Sequence, residues 1–171
     1  MMVVTPEDER LLLDLLNSTP LVDGREHDEL ADADVARRWL GAHGQPDTAE
    51  EARTLLDVRA LLQDVVRGTR SPRTLGPFLS QVSFRAESAD DGVAWRLDVP
   101  RGRSAAARVV LTWDGLRRTS PGRLRACANP DCQLFLIDRS KPNSARWCSM
   151  ATCGNRMKAR RHYQKSRDVT A

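Results

Sequence analysis

All four cysteines of the chain fall in its last third, at Cys127, Cys132, Cys148 and Cys153, in the spacing C-x4-C-x15-C-x4-C. Two short pairs separated by a loop can each bring two thiolates to one ion from adjacent turns, and Zn2+ favours four soft donors in a tetrahedron. The spacing therefore predicts a closed site for one structural zinc ion, complete without any histidine. Two disulfides or four buried free thiols are the competing readings. The opening Met1-Met2-Val3-Val4 runs straight into Pro6-Glu7-Asp8-Glu9 with no apolar leader, which sets the expectation of a reducing, cytoplasmic setting and favours the metal. Four thiolates leave no position for an activated water, so a catalytic role for the ion is not expected.

Between the two cysteine pairs, Gln133-Leu134-Phe135-Leu136-Ile137 has the composition of a strand, and Asp138-Arg139-Ser140-Lys141-Pro142-Asn143 that of a turn. The expected product is a small hairpin capped by Phe135 and Trp147. After Cys153 and Gly154-Asn155, the segment Arg156 to Lys165 contains no proline or further glycine and is rich in helix formers, so the last pair should lead directly into a helix.

Arg146-Trp147-Cys148-Ser149-Met150 followed by Cys153-Gly154-Asn155-Arg156, with Lys158 and Arg160-Arg161 beyond, closely resembles the CGNR zinc finger over about residues 123–162. Arg123-Leu124-Arg125, Pro130-Asp131-Cys132, Phe135 and Asp138-Arg139-Ser140 also sit where that family places them. One departure is Ala145-Arg146, where the family often has two arginines. The resemblance implies DNA binding, with Arg146, Arg156, Lys158, Arg160, Arg161 and Lys165 as the contacting cations. Proteins of this family usually carry an N-terminal ABATE domain, described as belonging to stress-induced transcription regulators. Leu12 to Ser18, Arg25 and Trp39-Leu40 are similar to the opening of that domain, with Asn17-Ser18 in place of its Asn-Thr.

Charge divides the chain in the same place. Residues 121–171 hold eleven Lys/Arg and three Asp/Glu, a net of +8, while residues 1–120 hold sixteen and twenty, a net of −4; together these give the overall +4. Six cations, from Arg156 to Arg167, precede the first acid, Asp168. Like charges on a helix repel by a few tenths of a kcal/mol per close pair, and a polyanion relieves that repulsion. A solvated cationic tail, or one paired with the acidic first part, is the plain alternative. Duplex DNA is the expected partner, RNA stays open because backbone attraction does not separate the two, and a single small module makes a homodimer a reasonable expectation.

Residues 1–120 suffice for an ordinary core and contain no apolar run long enough to span a membrane. Thr5-Pro6 should open a helix carrying Leu11, Leu12, Leu15 and Leu16 and ending near Ser18. A second helix should hold Val35, Trp39 and Leu40. Thr48 with Glu51 reads as a capping box opening a third helix through Leu55, Val58, Leu62 and Val65 to Gly68. Val82, Phe84 and Ala86, then Asp90-Asp91-Gly92, then Val93, Trp95, Leu97 and Val99 read as a hairpin. Residues 104–118 place Ala106, Val109, Val110, Trp113 and Leu116 at helical spacing, followed by a linker at 119–122. The expected fold class is α+β, a mostly helical domain over residues 1–120 with a small antiparallel sheet, followed over residues 121–171 by a zinc finger ending in a basic helix.

Trp39, Trp95 and Trp113 are expected in the core. Asn17, Arg25 and Arg59 are the candidates for a small-molecule pocket, an assignment the family resemblance suggests; a helix C-terminal cap for Asn17 and ordinary surface ion pairs for the two arginines are the plainer readings. No catalytic constellation or phosphate loop is visible, so an enzyme is not expected. The reading that follows is a transcription regulator that binds DNA through the finger and senses a ligand or dimerises through the first domain. The alternative is an enzyme or biosynthetic accessory with a pocket in the first domain and a scaffolding finger. A redox switch at the thiolates is a third reading.

Overall fold

The structure is a computed structural model that describes residues 4–168, with side chains described through Gln164. It is α+β, as the sequence predicts. Helices α1 (Pro6–Leu16), α2 (Ala33–Ala42), α3 (Ala49–Arg67) and α4 (Ser104–Thr119) form the body, together with a 3-10 segment (Pro72–Leu79). Three antiparallel two-stranded sheets accompany them: β1 (Leu21–Val22) with β2 (Arg25–Glu26), β3 (Ser83–Ala89) with β4 (Gly92–Asp98), and β5 (Leu124–Ala126) with β6 (Phe135–Ile137). A π-turn (Met150–Gly154) leads without a break into α5 (Asn155–Asp168). Among the described residues, no helix is long and apolar enough to cross a membrane.

Local chemistry sets the helix ends. Thr5 Oγ1 accepts the Asp8 N–H at 3.2 Å while the Asp8 carboxylate accepts the Thr5 N–H at 3.0 Å, so a reciprocal capping box opens α1. At Thr48 only half of the expected box forms. Thr48 caps the Glu51 N–H, but the Glu51 carboxylate turns away and accepts the N–H groups of Ser104 and Ala105 at 2.9 and 3.1 Å. Arg103, at the head of α4, offers no side-chain cap, so the buried Glu51 serves as the cap from another helix and compensates the α4 dipole. Helix α3 stops at Gly68, whose φ of 76° is a left-handed value that glycine adopts without steric cost.

The leucines of α1 and the apolar faces of α2, α3 and α4 make one core, and Trp39 and Trp113 pack against it as expected. Trp95 does not. With Val93 it lies on the face of the β3–β4 hairpin that looks into solvent, at 66% and 64% exposed. The register pairs Phe84 with Leu97, Ala86 with Trp95 and Ser88 with Val93, so period-2 alternation is intact. What fails is the inference from alternation to burial: only the Phe84 and Leu97 end of that face is half covered, and the hairpin extends beyond the helices.

The sequence marks residues 121–171 as a separate module, yet β6 enters the common core. Phe135 is 1% exposed and belongs to the same cluster as Leu12 and Leu62, with Leu124, Ala126 and Ile137 packed against it. It therefore does not cap the finger hairpin. The Phe135 N–H donates to Asn17 Oδ1 at 2.7 Å, and Asn17 Nδ2 donates to the Phe135 carbonyl at 3.2 Å, so the side-chain amide imitates a neighbouring strand. Arg67 lies over the Phe135 ring at 4.7 Å and donates to the Gln133 carbonyl, and Arg139 pairs with Glu9 at 2.6 Å. Phe135→Ala is expected to cost about 3–5 kcal/mol and to melt body and finger in one transition by circular dichroism in urea. Trp95→Ser should stay within about 0.5 kcal/mol.

Candidate metal centre and basic helix

The four cysteine Sγ atoms all lie within 4.8 Å of one another and belong to no disulfide. Cys132 to Cys148 is 3.8 Å and Cys148 to Cys153 is 3.7 Å. A tetrahedron with Zn–S bonds of about 2.3 Å has edges of about 3.8 Å, whereas a disulfide needs about 2.05 Å. The donor set and its spacing thus fit one structural zinc ion and exclude the disulfide reading. Cys127 and Cys153 are buried; Cys132 and Cys148 are half-buried.

Each donor is held by local backbone. Cys127 follows β5, and its own N–H donates to the Leu134 carbonyl, extending the β5–β6 ladder to the site. The Cys148 N–H points at Cys127 Sγ at 3.4 Å, and the Leu134 N–H at Cys132 Sγ at 3.5 Å. Asn129, fully buried in the first knuckle, donates from Nδ2 to Cys153 Sγ at 3.4 Å and accepts the Asp131 N–H, so it ties the two knuckles together. Such N–H groups favour the thiolate over the thiol. Among the sulfurs without their ion, burial foremost pushes Cys132 up to about 11 and Cys148 higher still. Cys153 is lowered: burial opposes this, but the Asn129 amide and the neighbouring sulfurs outweigh it. A metal must displace the protons on the raised thiols, as is general for thiolate sites.

Glycine at 154 has a steric reason. A Cβ there would lie 2.8 Å from the Met150 thioether and 3.3 Å from the Trp147 ring, both of which fold over the π-turn. That turn, closed by Gly154 N–H to Ser149 O, aims Cys153 at the tetrad and starts α5 at the next residue.

Asp138 organises the connection to the second knuckle. It is buried and accepts the N–H groups of Ser140 and Ala145 at 2.8 and 2.7 Å and the Arg125 guanidinium at 3.1 Å. Arg123 donates to the carbonyls of Asp138 and Ser140, and Arg125 to Asn143. These two arginines are scaffold of the module. Asn129 was not singled out by sequence reasoning, although an Asn two residues after a metal cysteine was an available signal; Asp138 entered only as the opening of a polar turn and as part of the family pattern, without this role.

Of the predicted nucleic-acid contacts, Arg146, Arg156, Lys158, Arg160 and Arg161 are each exposed. Arg156, Lys158 and Arg161 are exposed and have no acidic partner among the described residues. Arg160 pairs with Asp131 at 3.3 Å, and Arg146 stacks over Trp147 at 5.2 Å. Lys165 lies in α5, but its side chain is outside the described residues. The three pocket candidates, in contrast, do not converge. Asn17 is committed to the Phe135 backbone. Arg59 is buried, with a two-toothed ion pair to Asp28 at 2.7 and 2.6 Å and a bond to Ser18 Oγ. Hydrogen bonding from Arg59 is the main reason the Asp28 carboxyl sits below its ordinary value. Arg25 is exposed in β2. Asn17 thus closes α1 and joins body to finger, and Arg59, in a buried ion pair, pins the loop after β2 to α3.

Asn129→Ala is expected to weaken zinc binding about tenfold, as outer partners of metal ligands typically do, read by competition with a chromogenic chelator. Asp138 gives a pH signature. Hydrogen bonds from Ser140 foremost, then from Ala145 and the Arg125 charge, hold its carboxyl below the ordinary range against the effect of burial. A depressed folded value means that its stabilisation is complete above the unfolded value, about pH 4, and is lost as pH falls through the folded one. The melting difference between wild type and Asp138→Asn should therefore be flat from pH 7 to 5 and shrink in more acidic buffer.

Among curated proteins, none matches the chain. Over the segment that carries the tetrad, the knuckles and the basic helix, residues 123–166 match the family model of the CGNR zinc finger.

Proposed function

We propose that the chain is a zinc-dependent transcription regulator in which residues 121–171 bind duplex DNA and residues 1–120, an ABATE-like domain, sense a small effector or join two copies. One observation carries the reading: Arg156, Lys158 and Arg161 stand exposed, with no acidic partner among the described residues, on a helix anchored to a four-sulfur metal site. A cationic tail that merely balanced the acidic first part would lie against its carboxylates. Here three buried or half-buried acids of the body are engaged within it, Asp8 with Arg108, Asp28 with Arg59 and Glu51 with the α4 terminus, and the finger cation that pairs with a body carboxylate among the described residues is Arg139 with Glu9, outside α5. Phosphate contacts by these cations would release condensed counterions and make binding steeply salt-dependent.

Support for the first domain's role is of two kinds. A cleft of about 160 Å³ lined by Val65, Val66, Trp113, Leu116 and Leu124 lies where α3, α4 and β5 meet, so an apolar effector seated there would touch both body and finger. The uncovered Trp95 and Val93 give a pairing surface of the aromatic kind common at protein interfaces. The enzyme alternative has less to stand on, because Asn17 and Arg59 already spend their polar groups on internal bonds.

Fluorescence anisotropy with duplex DNA at rising salt should give log K falling against log salt with a slope of about −3 to −5, for four to six neutralised phosphates. Binding should vanish on zinc chelation. Absence of binding at low salt would remove the proposal.

A further inference from the structure

We infer that α5 is a groove-reading helix whose outward stripe, Asn155 and Ala159, contacts the edges of an A·T-containing step, while Lys158 and Arg156 grip the phosphates on either side. This rests on the reading above that the partner is DNA, and it adds which side chains read sequence and what they read.

The stripe follows from which side of α5 is occupied. Met157 is the half-buried residue of its first two turns, and Arg160 is held to Asp131 of the first knuckle at 3.3 Å. With about 100° of turn per residue, Met157 and Arg160 mark the side facing the finger. The opposite side is centred on Asn155 and Ala159, about 40° apart, with His162 one further turn along. All three are exposed. Lys158 and Arg156 lie about 60–100° to the two sides of that stripe. A cation on each flank and small or amide-bearing groups in the middle is the arrangement a helix needs in a groove about 12 Å wide, where phosphates form both walls and base edges the floor.

The chemistry of the stripe is specific. A carboxamide can accept from N6–H of adenine and donate to its N7 at once. Asn155 gives one amide hydrogen to the Ala151 carbonyl at 3.3 Å, which fixes its orientation and leaves one hydrogen and Oδ1 for a base. It is also the first residue of α5, and helices that enter the major groove commonly make base contacts from their N-terminal residues. One turn later Ala159 offers only a methyl group, which lets the backbone approach closely and suits contact with a thymine methyl. The arrangement is exposed because the π-turn begins the helix immediately after Cys153, so the metal fixes where Asn155 stands.

The test is selection of the full chain against a randomised duplex library, followed by titration of the preferred and a scrambled duplex. Wild type should select a site with a fixed adenine. Asn155→Ala should lose that position and bind the preferred duplex about tenfold or more weakly, with unchanged affinity for the scrambled duplex, unchanged salt slope and full zinc content. Ala159→Leu should likewise lose the preference by blocking approach, and Lys158→Ala should weaken both duplexes alike and reduce the slope by about one. Unaltered preference in both Asn155→Ala and Ala159→Leu overturns the inference, as does wild-type binding with no sequence preference or stronger binding to single-stranded RNA. Wild type that binds no nucleic acid at low salt overturns the functional proposal instead, so the two failures are distinguishable.

Discussion

Cys132 and Phe135 are three residues apart, one serving the metal and the other the core of the helical body. Between them the chain has no slack: the Leu134 N–H bonds the cysteine sulfur and the Leu134 carbonyl holds Cys127. The Phe135 backbone is then gripped from both sides by the Asn17 amide, and its ring is covered by Arg67. A sulfur tetrahedron and a hydrophobic core, two kinds of order with no common chemistry, are thereby joined through a single short strand. Metal binding in isolated fingers supplies folding free energy to the finger alone; here the same ion also braces the residue that completes the body.

That joint explains how a helix of like charges can be kept exposed. Close cation pairs disfavour α5, and among its described side chains Met157 alone is half-buried. Its start is nevertheless fixed by the π-turn, by the Met150 and Trp147 side chains over Gly154, and by the Arg160–Asp131 pair. The finger is fixed to the body in turn, so the position of the cations relative to α1 and α3 is defined from the core outward.

Much of this was legible in the chain. Cysteine spacing named the ligands because a closed tetrahedral site constrains sequence directly, and the helix boundaries followed from Thr5, Thr48 and Gly68, whose roles are local. The β1–β2 hairpin was missed: Asp23-Gly24 suits the two positive φ values found there, but strands of two residues leave no alternation to detect. What the sequence could not convey was placement across distance. Alternation in Val93 and Trp95 reports a strand face without saying whether anything covers it. Glu51 satisfies a helix fifty residues away rather than its own, and Asn17 pairs with a strand over a hundred residues on; no local pattern encodes either partner. Charge asymmetry and the module-like cysteine block suggested separable halves, while the apolar run that crosses between them, Leu134 to Ile137, had its destination hidden.

The order in which the core is completed has a consequence for synthesis. Chains emerge from the ribosome amino end first, so α1 to α4 are synthesised before Phe135, the last large side chain of their common core. Two of the sulfurs, at Cys127 and Cys132, come just ahead of it in the chain, and the other two follow shortly after. Zinc supply and completion of the body would then be coupled at the last stage of synthesis, because the strand that seats Phe135 is tied through Leu134 to two of the sulfurs.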